Sequence, residues 1–327
     1  MKDVSLARAR DALAGKLPVD QGESLVFGVE VGRPAPTYDR GLAAFAVREL
    51  DGRFAVRAVG ATDLVETHKL WPFYRLFEKL PSAHPVLFAI DAPMTPGEPR
   101  PAPHTGRAVE KRLSRGAFST SKRGLQPVSL AVHLQGAYLG QEAESVRRRL
   151  QELGVRYAQF PEDQDSYRMH CPAIIEVLPR LTAGLLSPRR LVAEVRPRGP
   201  KTSLLETFLF PYLFSSDPEE FQRPSFADRR LASDWFSDTL EFDPSLLLDA
   251  QRCRDHQRVG AFLSAFQGVL ALTGLASLMG QPGASEGCIC VPRQWHRDWE
   301  AIWSETSRPG DSVRRIDLLS DLAGALQ

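Results

Sequence analysis

Ser24-Leu25-Val26-Phe27-Gly28-Val29-Glu30-Val31, followed by Gly41–Leu50 (GLAAFAVREL) and Arg53–Gly60 (RFAVRAVG), is the stretch that decides the fold. The first run is short, apolar and rich in β-branched residues, and it is bounded by Gly22 and by Gly32-Arg33-Pro34, so it predicts a strand. Asp51-Gly52 separates the other two runs with a dipeptide suited to a tight hairpin turn, which predicts two more strands. Asp63–Leu80 then places Leu64, Leu70, Phe73, Leu76, Phe77 and Leu80 at helical spacing, with Pro72 expected to kink or divide the helix. Pro85–Ile90 (PVLFAI) is an unbroken apolar run that ends on Asp91, as expected of a strand buried on both faces whose polar end reaches the edge of the sheet. The resulting order is βββαβ, the opening of an α/β domain with a mixed sheet.

Beyond this start, Pro93–Pro103 holds five prolines in eleven residues and predicts a stiff, irregular loop that could act as a flap. Arg107–Arg115 and Ser129–Leu153 resume helical spacing, the latter stopping at Leu153-Gly154. Ala173–Leu178 (AIIEVL) predicts another buried strand, Ser203–Phe214 an apolar helix, and Gly287–Pro292 (GCICVP) a last strand. Ser215–Leu248 has no clear period and is taken as an insertion at the edge of the domain. Val313–Leu326 has the pattern of a short amphipathic terminal helix.

Composition narrows the class. The 43% hydrophobic and 25% charged fractions of these 327 residues are those of an ordinary globular protein, long enough to bury a core without disulfides. Lys and Arg number 41 against 40 Asp and Glu, so contact with nucleic acid must come from a local patch and not from a global field. One such patch is Lys111-Arg112, Arg115 and Lys122-Arg123, which a solvated helix face explains more simply. The four cysteines, Cys171, Cys253, Cys288 and Cys290, are too scattered for a secreted disulfide framework, and the N-terminus mixes charge into its apolar positions. Both features predict a cytoplasmic protein. Val259–Met279 is uncharged and long enough to span a bilayer, but Ser264, Gln267, Thr273 and Ser277 interrupt it and Gly268 and Gly274 weaken it as a helix. A buried core helix or helix pair is expected there, with no membrane contact.

Three carboxylates fall inside or at the end of predicted buried strands: Glu30, Asp91 and Glu176. A buried carboxylate must be neutralised, paired or bound to a cation, because an isolated buried charge costs several kcal/mol, roughly the desolvation penalty. Any one of them is equally explained by a solvent-facing strand end or an arginine partner; the three together point to a shared site. His170-Cys171 and Cys253 with His256 lack the paired short-loop spacing of a zinc site, and Cys288 and Cys290 have the spacing of core thiols.

Several strings in this chain resemble the family called domain of unknown function 429, to which a nuclease role and an RNase H-like fold are assigned. They are Gly28-Val29-Glu30, Ile90-Asp91-Ala92-Pro93, Arg107 with Glu110, Glu176-Val177-Leu178-Pro179, Lys201, Asp255-His256 through Ala261 and Ala265, and Glu286 to Pro292, in the family's order. Glu30 stands where the family mostly shows Asp, and 215–248 is longer than expected. The resemblance implies an RNase H-like domain over 23–300 carrying the proline-rich loop (93–106) and the insertion (215–248), between an N-terminal helical extension (1–22) and a C-terminal helical tail (301–327).

The resemblance also implies metal-dependent hydrolysis of phosphodiesters in nucleic acid. Glu30, Asp91, Glu176 and Asp255 would be both catalytic residues and ligands of Mg2+ or Mn2+, hard cations that prefer carboxylate oxygen. Arg107 and Lys201 would neutralise phosphate, and His256 would carry a proton or cap its helix. Two other readings compete. A catalytically silent binding module would keep the fold as a platform, a reading that Glu30 in place of Asp sustains. An actin-like nucleotide phosphotransferase ranks lower, because Gly28–Pro34 lacks the small hydroxyl residues expected to grip phosphates.

Overall fold

In a computed structural model of the protein, β1 (Ser24–Glu30), β2 (Gly41–Leu50) and β3 (Arg53–Asp63) form the expected antiparallel meander. The structure describes residues 20–31, 41–63, 86–94, 109, 147–148, 151–152, 156–157, 173–189, 210, 213–214, 235–247, 256–280, 287–306 and 313–316. At the hairpin tip Asp51 and Gly52 both take positive φ, 51° and 80°, the turn whose twist matches that of the strands it joins. The third strand runs three residues past its expected end at Gly60, and the β2–β3 register shifts between Ala44 and Phe45.

On its other side β1 pairs in parallel with β4 (Val86–Asp91). Next come β5 (Arg156–Tyr157) and β6 (Ala173–Glu176), also parallel, which give a seven-stranded sheet of order β5-β6-β4-β1-β2-β3-β7. The seventh strand, β7 (Leu240–Phe242), lies inside the stretch expected to be an edge insertion and pairs in parallel with β3. It is the outermost strand of that sheet, and Phe236, Leu240 and Leu246 beside it are buried in the main core. A three-residue strand is too short to show a period in sequence.

The helices are α1 (Pro179–Leu185), α2 (His256–Leu272) and α3 (Arg297–Thr306), with β8 (Ala276–Gly280), β9 (Cys288–Pro292) and β10 (Val313–Ile316) forming a second, antiparallel sheet of order β10-β8-β9. Two expectations are corrected here. The uncharged segment is neither one helix nor a helix pair: α2 stops at Leu272 and the chain re-enters as a strand at Ala276. The stop is chemical. Gly274 adopts φ 72°, its N–H donates to the Ala271 carbonyl, and the Leu275 N–H donates to the Leu270 carbonyl at 2.7 Å, a Schellman ending. Likewise 313–316 is a strand where a terminal helix was expected; pairing with β8 overrides a pattern too short to fix its own period. No helix among the described residues is long and apolar enough to cross a membrane.

The apolarity of α2 comes from burial on all sides. Its small residues lie on the sheet, while Phe262 meets Phe45, Phe210 and Phe214, and Phe266 meets Phe214, Phe236 and Phe242, with ring centroids 5.0–6.0 Å apart. Gln267, buried within it, is satisfied on both ends: its Oε1 accepts from Thr182 Oγ1 and its Nε2 donates to the Cys290 carbonyl. One side chain thereby ties α1, α2 and β9 together. Burial pushes the Cys290 thiol up to about 12, so it is a packed, unreactive group, as its position suggested.

Of the helices expected over 63–80, 107–115, 129–153 and 203–214, Asp63 is instead the last residue of β3, Val109, 147–148, 151–152, Phe210 and 213–214 are helical, and the rest lies outside the described residues. The N-terminal extension to residue 19 and the proline-rich loop from residue 95 also lie outside them.

Candidate functional site

The parallel pairing of β1 and β4 brings their C-terminal ends to the same edge of the sheet. Glu30 and Asp91, the last residue of each strand, are direct register partners. Side chains alternate along strands, so register partners in a parallel pair point to the same face. That face is the one covered by α2, because Val26 and Gly28, four and two residues back, meet the helix at Gly268 and at Ala261 and Ala265. Glu30 is 9% exposed and Asp91 is half-buried, so the two like charges sit side by side at a partly covered mouth.

Local sequence explains how the helix comes so close. A Cβ built on Gly28 would lie 2.1 Å from the Ala261 carbonyl oxygen and 2.2 Å from the Ala265 nitrogen, so helix backbone rests directly on strand backbone. Gly41, the β2 partner of Glu30, makes the same approach to the Gln257 carbonyl. At the first turns of α2, a Cβ on Gly260 would lie 2.1 Å from Glu30 Oε2, 2.9 Å from Cδ and 3.2 Å from Cγ. The Glu30 side chain therefore lies flat against a helix position that has no side chain of its own.

Glu176 ends β6 one register step away, opposite Ile90 and not Asp91. By the same alternation it points to the other face of the sheet, although it shares the strand-end edge with the pair. It is 3% exposed, and its Oε2 accepts from the Met94 N–H at 2.9 Å. The Ile90 carbonyl takes the N–H groups of Ala92 and Val177 at 2.9 and 3.0 Å. Together these bonds fix the turn that follows Asp91. Among the described residues no three His, Cys, Asp or Glu side chains form one group able to hold a metal ion.

Of the other residues singled out, Asp255, Arg107 and Lys201 lie outside the described residues, as do Glu110, the basic run, Cys171 and Cys253. For His256 only the backbone is described, as the first residue of α2. Asp255 is therefore the residue bonded to the start of the helix whose early turns meet Glu30. The glycines that shape this mouth were not singled out as functional from the sequence. Their signal was present as small residues four apart along one helix face, Gly260-Ser264-Gly268 and Ala261-Ala265.

Away from this edge, the start of β1 carries a separate ion pair. Arg57 donates to both Glu23 oxygens at 2.8 and 2.5 Å. Burial would raise the Glu23 carboxyl, but the Arg57 hydrogen bonds and charge and the Asp20 N–H outweigh it and hold it below its ordinary value.

No family model matches the chain, and none of the curated proteins matches it. Among solved structures, one described as the crystal structure of NurA bound to dAMP and manganese aligns over 82% of this chain and 61% of that one, at 12% identity and a TM-score of 0.12. A likeness at that level carries no argument about fold or activity.

Proposed function

We propose that this chain is a divalent-metal-dependent phosphodiesterase acting on nucleic acid, a nuclease with an RNase H-like fold of the kind its sequence strings resemble. The observation that carries the reading is the Glu30–Asp91 pair, two acids in register at the ends of adjacent parallel strands. Support for the fold reading comes from the antiparallel β1–β3 meander and from β4 and β6 added in parallel on the far side of β1.

The donor set suits magnesium or manganese. Both prefer oxygen ligands, and magnesium is commonly held by one or two carboxylates with its remaining positions left to water and substrate phosphate. Two neighbouring carboxylates meet that need without a closed protein cage. Glu30 and Asp91 would hold the ion, and Asp255, next to the first residue of α2, is the further ligand the resemblance implies. Bound there, such ions would polarise a phosphodiester and stabilise its attacking and leaving oxygens.

The chain's own contributions are positional. Glu176 holds the turn after Asp91 through the Met94 N–H. Arg107 and Lys201 would neutralise substrate phosphate, one as a fork and the other as a point charge. The silent-module reading draws on one observation, the commitment of Glu176 to that backbone bond. Cleavage assays on single-stranded and duplex DNA and RNA with manganese, comparing wild type with Asp91→Asn, test the proposal. Cutting by wild type that the variant loses supports it; equal cutting, or none by either, removes it.

A further inference from the structure

We infer that Gly260 is a positioning residue for Glu30: the missing side chain on α2 is what lets a glutamate, one methylene longer than aspartate, end β1 with its carboxylate at the mouth. The inference rests on the proposed function for its meaning but on packing for its evidence. Three atoms of Glu30, Oε2, Cδ and Cγ, lie 2.1, 2.9 and 3.2 Å from where a Cβ at 260 would stand. Real Cβ atoms do not make contacts shorter than 3.0 Å, so the two side chains cannot coexist in this arrangement. The strand is held in place by its pairing with β2 and β4, and at Gly28 and Gly41 the sheet is in direct contact with helix backbone. Glu30 is the part that must move, and its register partner Asp91 would then be left without its neighbour.

The glycine supplies the room that the Glu30 side chain needs. Glu30 and Gly260 form one unit.

The unit makes a prediction of opposite signs. In a buried helix with no obstacle, Gly→Ala stabilises, because alanine loses less backbone freedom on folding. Gly260→Ala in the wild-type background should instead lower the melting temperature slightly, since the new methyl displaces the flexible Glu30 side chain from a buried seat. In a Glu30→Asp background the carboxylate is drawn back, and the same Gly260→Ala change should raise the melting temperature.

Thermal melts of the full chain and the three variants, in chelator and again with manganese, read this directly. The chelator series tests the packing without any metal, and the manganese series tests its use. The expected result is the sign reversal in chelator, with the manganese-induced shift reduced in Gly260→Ala and regained in the double variant. A Gly260→Ala protein that fails to fold while the double variant folds gives the same support. The inference is overturned if Gly260→Ala changes the melt equally in both backgrounds, or if the double variant is as impaired as Gly260→Ala alone. If the wild type shows no manganese shift but the sign reversal holds in chelator, the seat for Glu30 stands and the metal reading falls.

Discussion

Gly28→Ala should destabilise the protein strongly. The added Cβ would stand 2.1 Å from the Ala261 oxygen, 2.2 Å from the Ala265 nitrogen and 2.7 Å from the Ala265 Cα, whereas ordinary contact begins at 3.4 Å. All three atoms are backbone of a 17-residue helix, so no rotamer change relieves the clash. The helix would have to back away by more than an ångström from a floor made of Gly28 and its register partners Ala43 and Ala89. Overpacking a tight core costs about 1–3 kcal/mol, and with a rigid obstacle the upper end, about 3 kcal/mol, is expected. With a urea m-value of about 3 kcal/mol/M, that moves the midpoint down by about 1 M at unchanged m. Gly52→Ala is the control. Its position has a φ of 80° and no atom within 4 Å, so it should cost only backbone strain, about 1–2 kcal/mol. If Gly28→Ala leaves the urea midpoint where the wild type has it, the direct contact of α2 with β1 is refuted.

Two further predictions concern polar groups. Gln267→Leu should lower stability by about 1–3 kcal/mol in urea titrations, because it removes the buried bonds that Gln267 makes to the Thr182 hydroxyl and the Cys290 carbonyl; an unchanged midpoint would mean that neither bond is made. The Glu23–Arg57 pair should stabilise the fold above the ordinary glutamate range near pH 4.3, and this contribution should fade as pH falls through the depressed folded value of Glu23. Arg57 is 31% exposed, which screens the pair, so Glu23→Gln should cost about 1–2 kcal/mol at pH 7 and much less near pH 2; a cost independent of pH would contradict the pairing.

The centre of the fold was legible because its signals are local. Asp51-Gly52 specifies its own turn, and the uninterrupted apolar runs at 24–29 and 86–90 have one comfortable place, in the middle of a covered sheet. The end of α2 was legible only in part. Gly274 and Thr273 were noted as interruptions, but the switch from helix to strand is set by pairing of Ala276–Gly280 with β9 and β10, partners that lie later in the chain. A dependence on distant partners also hid β7 and β10, which pair with β3 and β8. In the site, the adjacency of Glu30 and Asp91 followed from two strand ends and needed no side-chain detail. What sequence could not give was register parity: one residue separates Ile90 from Asp91, and that single step sends Glu176 to the other face. The small-residue spacing at Gly260 was visible, but what it meets was not, since a close approach depends on which residue of another element arrives there.

The most direct test of the Glu30–Asp91 site is the manganese dependence of thermal stability in wild type and Asp91→Asn. A cation bound by the folded state alone stabilises it by mass action, about 2.7 kcal/mol when the free ion is at a hundred times its dissociation constant. The wild type should therefore melt at a higher temperature as manganese is added. Asp91→Asn removes one of the two adjacent charges at nearly constant shape, so it should lose most of that rise, while its metal-free melt stays level or increases as repulsion with Glu30 is relieved. Identical melting of the two proteins with and without manganese would contradict a metal site at Glu30 and Asp91.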